Sequence, residues 1–112
     1  LYVPTHNRPA SDPFPAALLS GTVVVDRITG CLWIEGAASV RYLVLWPQGY
    51  EAHLVNDAWQ VIDGTGATRA VENASVTIGG GEFNDANAVR DLIGEDPPVA
   101  CVTGEYWITP GA

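Results

Sequence analysis

The chain has 112 residues, 47% of them hydrophobic and 16% charged, a makeup that excludes a disordered chain and suits one small folded domain. Thirteen acids stand against five arginines and no lysine, for a formal net charge of −8. That field repels phosphate backbones and anionic lipid surfaces, so nucleic acid and membrane surfaces are not expected partners; no run has the length of a membrane span.

Residues 1–15 hold four of the eight prolines and show no apolar period. They read as an extended linker or a tail draped on the domain, with the fold proper, 16–112, beginning near Ala16. His6, in this stretch, reads as a solvated side chain. Methionine is absent, position 1 included, which gives the expectation of a processed or trimmed chain; a removed signal peptide would fit the cysteine pair, and a cut at a domain boundary would look the same.

From Ala16 onward, short β-branched and aromatic runs alternate with turn residues. Leu18 to Val25 is the first predicted strand, Asp26 to Gly30 a turn, and Cys31 to Glu35 the returning strand. Arg41 to Trp46 is apolar on both parities and should be covered on both faces. Trp46-Pro47-Gln48-Gly49-Tyr50 breaks it, and His53 falls in a polar loop. Ala58 to Asp63 and Ala67 to Glu72 form a hairpin around Asp63-Gly64-Thr65-Gly66. Ala74 to Ile78 alternates cleanly and is expected to end at Gly79-Gly80-Gly81. Asn84 to Ile93 is the one helix, with Asn84 or Asp85 as cap and Gly94 as its stop. Gly104 to Thr109 is the last strand. The expected class is mainly β: a small OB-like barrel with one short helix, with a β-sandwich as the alternative.

Cys31 and Cys101 each lie beside a strand and far apart in sequence, which points to one structural disulfide made outside the cytoplasm rather than a redox-active pair. Its loop of about 70 residues corresponds to roughly 4 kcal/mol in the chain-entropy model.

Candidate chemistry is sparse. No serine sits in a nucleophile motif, and His53 and His6 lie in no recognisable pattern. Glu82, Asp85, Asp91, Glu95 and Asp96 gather around the helix without calcium-loop spacing, and the cysteines and histidines lack zinc spacing. No cofactor or metal is therefore expected. The glycine run before the helix lacks the lysine and hydroxyl of a phosphate loop, and Glu82 and Asp85 would repel a phosphate there. Asn73-Ala74-Ser75 matches the glycosylation sequon at the entry of a predicted strand. Among the aromatics, Trp46 and Tyr50 flank a proline-glycine turn and, with His53 nearby, form the candidate binding surface.

Gly30-Cys31-Leu32-Trp33-Ile34, Leu45-Trp46-Pro47-Gln48-Gly49-Tyr50, Val76 to Gly81 and Cys101 to Trp107, in that order, resemble a group of short bacterial envelope domains, often lipoprotein-borne. Trp-Pro-x-Gly-Tyr is the most specific of these motifs. The resemblance implies an exported β-domain with paired cysteines, is compatible with a lipid anchor upstream, and transfers no catalytic residue. The expected function is a non-catalytic extracytoplasmic module, secreted or envelope-anchored, that binds a protein, peptide or glycan. The alternatives are a small hydrolase using Glu82 or Glu105 with His53, and a purely structural spacer.

Overall fold

The computed structural model describes residues 1–9 and 11–110. The chain runs through β1 (Ala17–Asp26), β2 (Cys31–Glu35), β3 (Arg41–Leu45), β4 (Glu51–Val55), β5 (Ala58–Ile62), β6 (Thr68–Val71), β7 (Ser75–Phe83), α1 (Ala86–Ile93) and β8 (Tyr106–Ile108). Five strands close a barrel in the order β1-β2-β3-β8-β7, while β4-β5-β6 form a separate three-stranded sheet. The fold is thus mainly β with one helix, and the closed barrel sets aside the sandwich alternative.

Local chemistry accounts for the corners. The Asp26 carboxylate accepts the N–H groups of Ile28 and Thr29 at 3.0 and 3.3 Å, and Gly30 takes φ +78°, which turns β1 into β2. Asp85 caps α1 by accepting from the Asn87 and Ala88 N–H groups, and Gly94, at φ +79°, ends it.

β3 pairs antiparallel with β2 and parallel with β8. Its two parities serve two hydrophobic clusters, as the apolar run predicts. Val44 and Trp46 pack with Val23, Ile34, Trp107 and, from the three-stranded sheet, Val61 and Ala70. Leu43 and Leu45 pack with Trp33, Tyr106, Ile108 and Val89 of the helix. The wall of β2, β3 and β8 therefore carries apolar cover on both sides, one toward the sheet and one toward α1.

The cysteines are bonded to each other, with Cα atoms 5.3 Å apart and both residues fully buried. The Trp33 indole N–H donates to the Cys101 carbonyl at 2.9 Å, so the short 3₁₀ turn Val99–Cys101 is held flat against β2. Arg27 ties the sheet to the barrel's first turn: it donates to both oxygens of Glu72, at 3.1 and 2.7 Å, and to the Asp57 carbonyl at 2.6 Å.

Two strands depart from the sequence expectation. First, β7 does not end at the glycines but runs through them to Phe83, pairing with β1 up to Gly80 and with β8 from Gly81. Gly80 stands at φ +133°, and a Cβ there would collide with the Ile108 carbonyl. The glycines bend one strand around the barrel's corner so that it changes partner. Second, Glu51 to Val55 is a strand, and His53 sits in it rather than in a loop. Asn56 and Asp57 both have positive φ, 50° and 64°, the two-residue turn that closes the β4–β5 hairpin.

The segment 1–9 lies along the barrel. Tyr2 bridges Cys31 and Thr5 bridges Trp46, with Trp46 N–H donating to the Pro4 carbonyl and His6 N–H to the Trp46 carbonyl at 2.9 and 2.8 Å. His6 is 2% exposed, a correction to its reading as solvated. Proline spacing kept this stretch extended, which let it add to the end of β3. The His6 ring accepts the Arg8 N–H at Nδ1, 3.2 Å, so Nε2 carries the proton and donates to the Thr109 carbonyl at 2.8 Å. Phe14 stands against the ring, Gln48 donates to the His6 carbonyl, and Arg8 is the charge that faces it.

Burial holds His6 below its ordinary pKa of 6.5, helped by the Arg8 charge and opposed by the Thr109 bond. A lowered folded-state pKa means the unfolded chain takes the proton first. This contribution to stability is complete above 6.5 and is lost as pH falls from 6.5 toward the folded-state value. Denaturant melts from pH 8 to pH 5 should show that component in the native chain and not in His6→Gln; parallel pH profiles would contradict it. At the corner, Gly80→Ala should cost about 2 kcal/mol or more through strain and collision. Gly79→Ala should be close to neutral, since a Cβ at Gly79 would meet nothing nearer than the Ala17 carbonyl at 3.9 Å; equal losses in the two variants would refute the corner's role.

Candidate functional site

The turn between β5 and β6 is organised by one carboxylate. Asp63 Oδ1 accepts the Thr65 N–H, the Thr65 hydroxyl and the Ala67 N–H at 2.9, 2.7 and 3.0 Å. Its other oxygen, Oδ2, accepts Nε of Arg69 at 2.7 Å. Donors therefore surround a carboxylate that is only 8% exposed. The Thr65 hydroxyl foremost, with Arg69 and the two backbone N–H groups, holds the Asp63 carboxyl far below the usual range, and Asp63 in turn keeps Arg69 firmly protonated. The Asp-Gly-Thr-Gly sequence thus makes a rigid turn whose second product is a fixed guanidinium.

That guanidinium borders a cavity of about 200 Å³ between the barrel and the three-stranded sheet, lined by Trp46, Tyr50, Thr68, Arg69, Thr77 and Gly79 among others. β3 delivers Trp46 to the cavity and the following turn brings Tyr50 back over it, the rings stacking at 5.9 Å and 24°. Thr77 and Gly79 come from β7, whose Gly79 carbonyl accepts the Trp107 indole N–H at 3.0 Å. Thr109, just past β8, completes the wall. Burial, with the charge of Asp63, pushes the Tyr50 phenol above its ordinary pKa against the opposing pull of Arg69. Tyr50 therefore keeps its O–H as a donor at neutral pH. The site offers a fixed cation, a phenol O–H, threonine hydroxyls and one reachable aromatic ring, a set suited to holding a small polar molecule.

The structure separates the three residues of the sequence-predicted surface, Trp46, Tyr50 and His53. Trp46 is 1% exposed, so it forms no exposed pair with Tyr50; the strap of residues 4–6 and the sheet cover it. Tyr50 is half-buried on top of it. His53 is exposed on β4, 3.2 Å from Glu51, and lines a separate shallow depression with Glu51 and Asp63. Glu82 and Glu105 share a third depression, beside Phe83 and Asn84, where the Tyr42 hydroxyl donates to Glu82 at 3.2 Å. The carboxylates and the histidine of the hydrolase alternative thus line different depressions. Cys31 and Cys101 serve the fold and not the cavity. Asn73 of the sequon is exposed in the β6–β7 turn at φ +66°.

Arg69 and Asp63 are the residues that sequence reasoning passed over. A signal was present: Arg69 is the single arginine between Arg41 and Arg90, six positions after the aspartate of an Asp-Gly turn. Among the described residues no cluster of three or more histidine, cysteine or acidic side chains could hold a metal ion, and no helix is long and apolar enough to cross a membrane.

No protein-family model, curated protein or solved structure matches this chain.

Proposed function

We propose that the protein is a non-catalytic extracytoplasmic binding module whose ligand is a small polar molecule seated in the cavity between barrel and sheet. The carrying observation is Arg69: in a chain of net charge −8, a guanidinium is pinned by a buried carboxylate at the edge of an aromatic-floored hollow. Arg69 neutralises the buried Asp63 carboxylate, and Asp63 is itself fixed by three donors of its own turn, so the guanidinium is already positioned before any ligand arrives.

Further support comes from the architecture. A buried disulfide fits an oxidising compartment, and agrees with an exported domain of the bacterial envelope kind, secreted or held by a lipid anchor. The strand order β1-β2-β3-β8-β7, with β8 returning beside β3, is compatible with an OB-like barrel into which the β4–β6 sheet is inserted, and OB domains bind their ligands on the barrel surface and loops. A concave polar site with a buried tryptophan favours a small ligand, or one unit of a glycan, over a flat protein partner.

Gly79→Phe tests the reading. Position 79 tolerates a Cβ and borders the cavity, so the added ring should fill the hollow without unfolding the barrel. A ligand-observed NMR screen of monosaccharides, amino acids and small organic acids should give binders to the native chain that Gly79→Phe loses at unchanged Tm. Binders that persist in the variant, or a native chain that binds nothing in the screen, would overturn the proposal.

A further inference from the structure

The chemistry of the same cavity identifies a ligand class, an inference that rests on the cavity being the binding site. We propose that it takes a single sugar unit bearing a carboxylate, with the carboxylate on Arg69 and the sugar ring beside Tyr50.

The position of the guanidinium comes first. Asp63 engages Nε at 2.7 Å, and Asp63 cannot swing away because its other oxygen holds three donors of the turn. The end of the guanidinium that carries both Nη atoms is thereby the part left to meet a ligand, and two parallel N–H donors match the two oxygens of a carboxylate. Charge then limits the anion. Asp63 already neutralises Arg69 once, and the chain as a whole carries −8. A monoanion that shares the guanidinium with Asp63 meets about half the repulsion from the rest of the chain that a phosphate dianion meets, and a polyanion meets more still. The protonated Tyr50 phenol supplies a second, neutral donor nearby.

The remainder of the wall suits a polyol. Thr68 Oγ1 donates to Gln60 at 3.1 Å and keeps lone pairs to accept from a ligand hydroxyl. Thr77 Oγ1 shares one hydrogen with Ser20 Oγ at 2.9 Å, so it too retains hydrogen-bonding capacity. Among the described residues Ile78 is the only aliphatic side chain in the lining, too little for the apolar slot that a peptide side chain needs. Tyr50, stacked on the buried Trp46 and itself half-exposed, gives a sugar ring an aromatic surface. A volume of about 200 Å³ is below the range of about 300–1,000 Å³ usual for drug-sized ligands, so one unit fits and a longer chain would extend into solvent.

The test uses D-glucuronate and D-galacturonate against D-glucose, D-galactose, methyl glucuronate ester and N-acetylglycine. Binding is followed by amide shifts of Thr68, Arg69 and Gly79 and the indole N–H of Trp46. The uronates should bind saturably at these residues, and the neutral sugars and the ester roughly tenfold more weakly or worse, as expected for loss of a charge-assisted pair. Arg69→Gln should lose at least about tenfold in uronate affinity, and Arg69→Lys, which keeps the charge without the fork, should lose less. If Arg69→Gln fails to fold, the lysine variant and the ester comparison carry the same test. Neutral sugars binding as tightly as uronates would overturn the carboxylate assignment while leaving the cavity as the binding site. N-acetylglycine binding more tightly than the uronates would overturn the sugar assignment. An absence of uronate shifts would overturn the proposal outright, and the Gly79→Phe screen would then decide the cavity independently.

Discussion

The parallel pairing of β3 with β8 is the constraint on which everything else rests. Parallel neighbours cannot be joined by a tight turn, and here the connection holds the whole three-stranded sheet, β7 and the helix. The Cys31–Cys101 bond fastens the end of that excursion to β2 shortly before β8 begins. Its 70-residue separation corresponds to roughly 4 kcal/mol of loop-closure entropy removed from the unfolded chain, comparable with the whole net stability of a small domain. With Cys101 fixed and Trp33 bonded to its carbonyl, β8 has little choice but the groove between β3 and β7.

The cavity inherits its geometry from that closure. Leu45 and Ile108 are paired across β3 and β8, and the next residues on each strand, Trp46 and Thr109, both line the hollow. The same two residues receive the N-terminal strap, Trp46 through its backbone and Thr109 through the His6 ring. Barrel closure, strap and cavity therefore meet at one end of the molecule. The sheet approaches that end from the other side, held by Val61 and Ala70 in the shared core and by Arg27 bridging to Glu72 and Asp57, and it brings Arg69 with it. A cation in so acidic a chain is placed by a turn rather than by the barrel, which leaves the charge at the cavity edge separable from barrel closure.

How much of this was legible in the sequence depended on where each signal came from. The disulfide, the boundaries of β2 and the caps of α1 could be read because cysteine placement, β-branched runs and Asp85 with Gly94 act locally. The strand count led to a small barrel with a sandwich as the alternative, and only the closed strand order decides between them. β4 escaped notice because both its faces are largely exposed, so no alternation of apolar residues marks it, and the Asn56-Asp57 turn that closes its hairpin went unread. The glycine run suggested a stop because glycine usually weakens strands, whereas here a close approach to Ile108 requires it. His6 and Trp46 were misplaced for one reason: an extended proline-rich segment gives no sign of the surface it will cover. The cavity was half legible, since Trp46 and Tyr50 were singled out, while Arg69 acquires its meaning only once the sheet is folded beside β7.

Whether the crosslink sets the β3–β8 closure from which the cavity follows can be read from amide hydrogen exchange on the native chain and on a Cys31→Ala/Cys101→Ala variant. The informative amides are Leu43, which donates to the Glu105 carbonyl, and Thr109, which donates to that of Leu45. If the crosslink has this role, both lose protection in the variant well beyond the amides that join β4 to β5, with the indole resonance of Trp46 shifting alongside. Protection at Leu43 and Thr109 that fell no further than in the β4–β5 hairpin, with Trp46 unmoved, would contradict it.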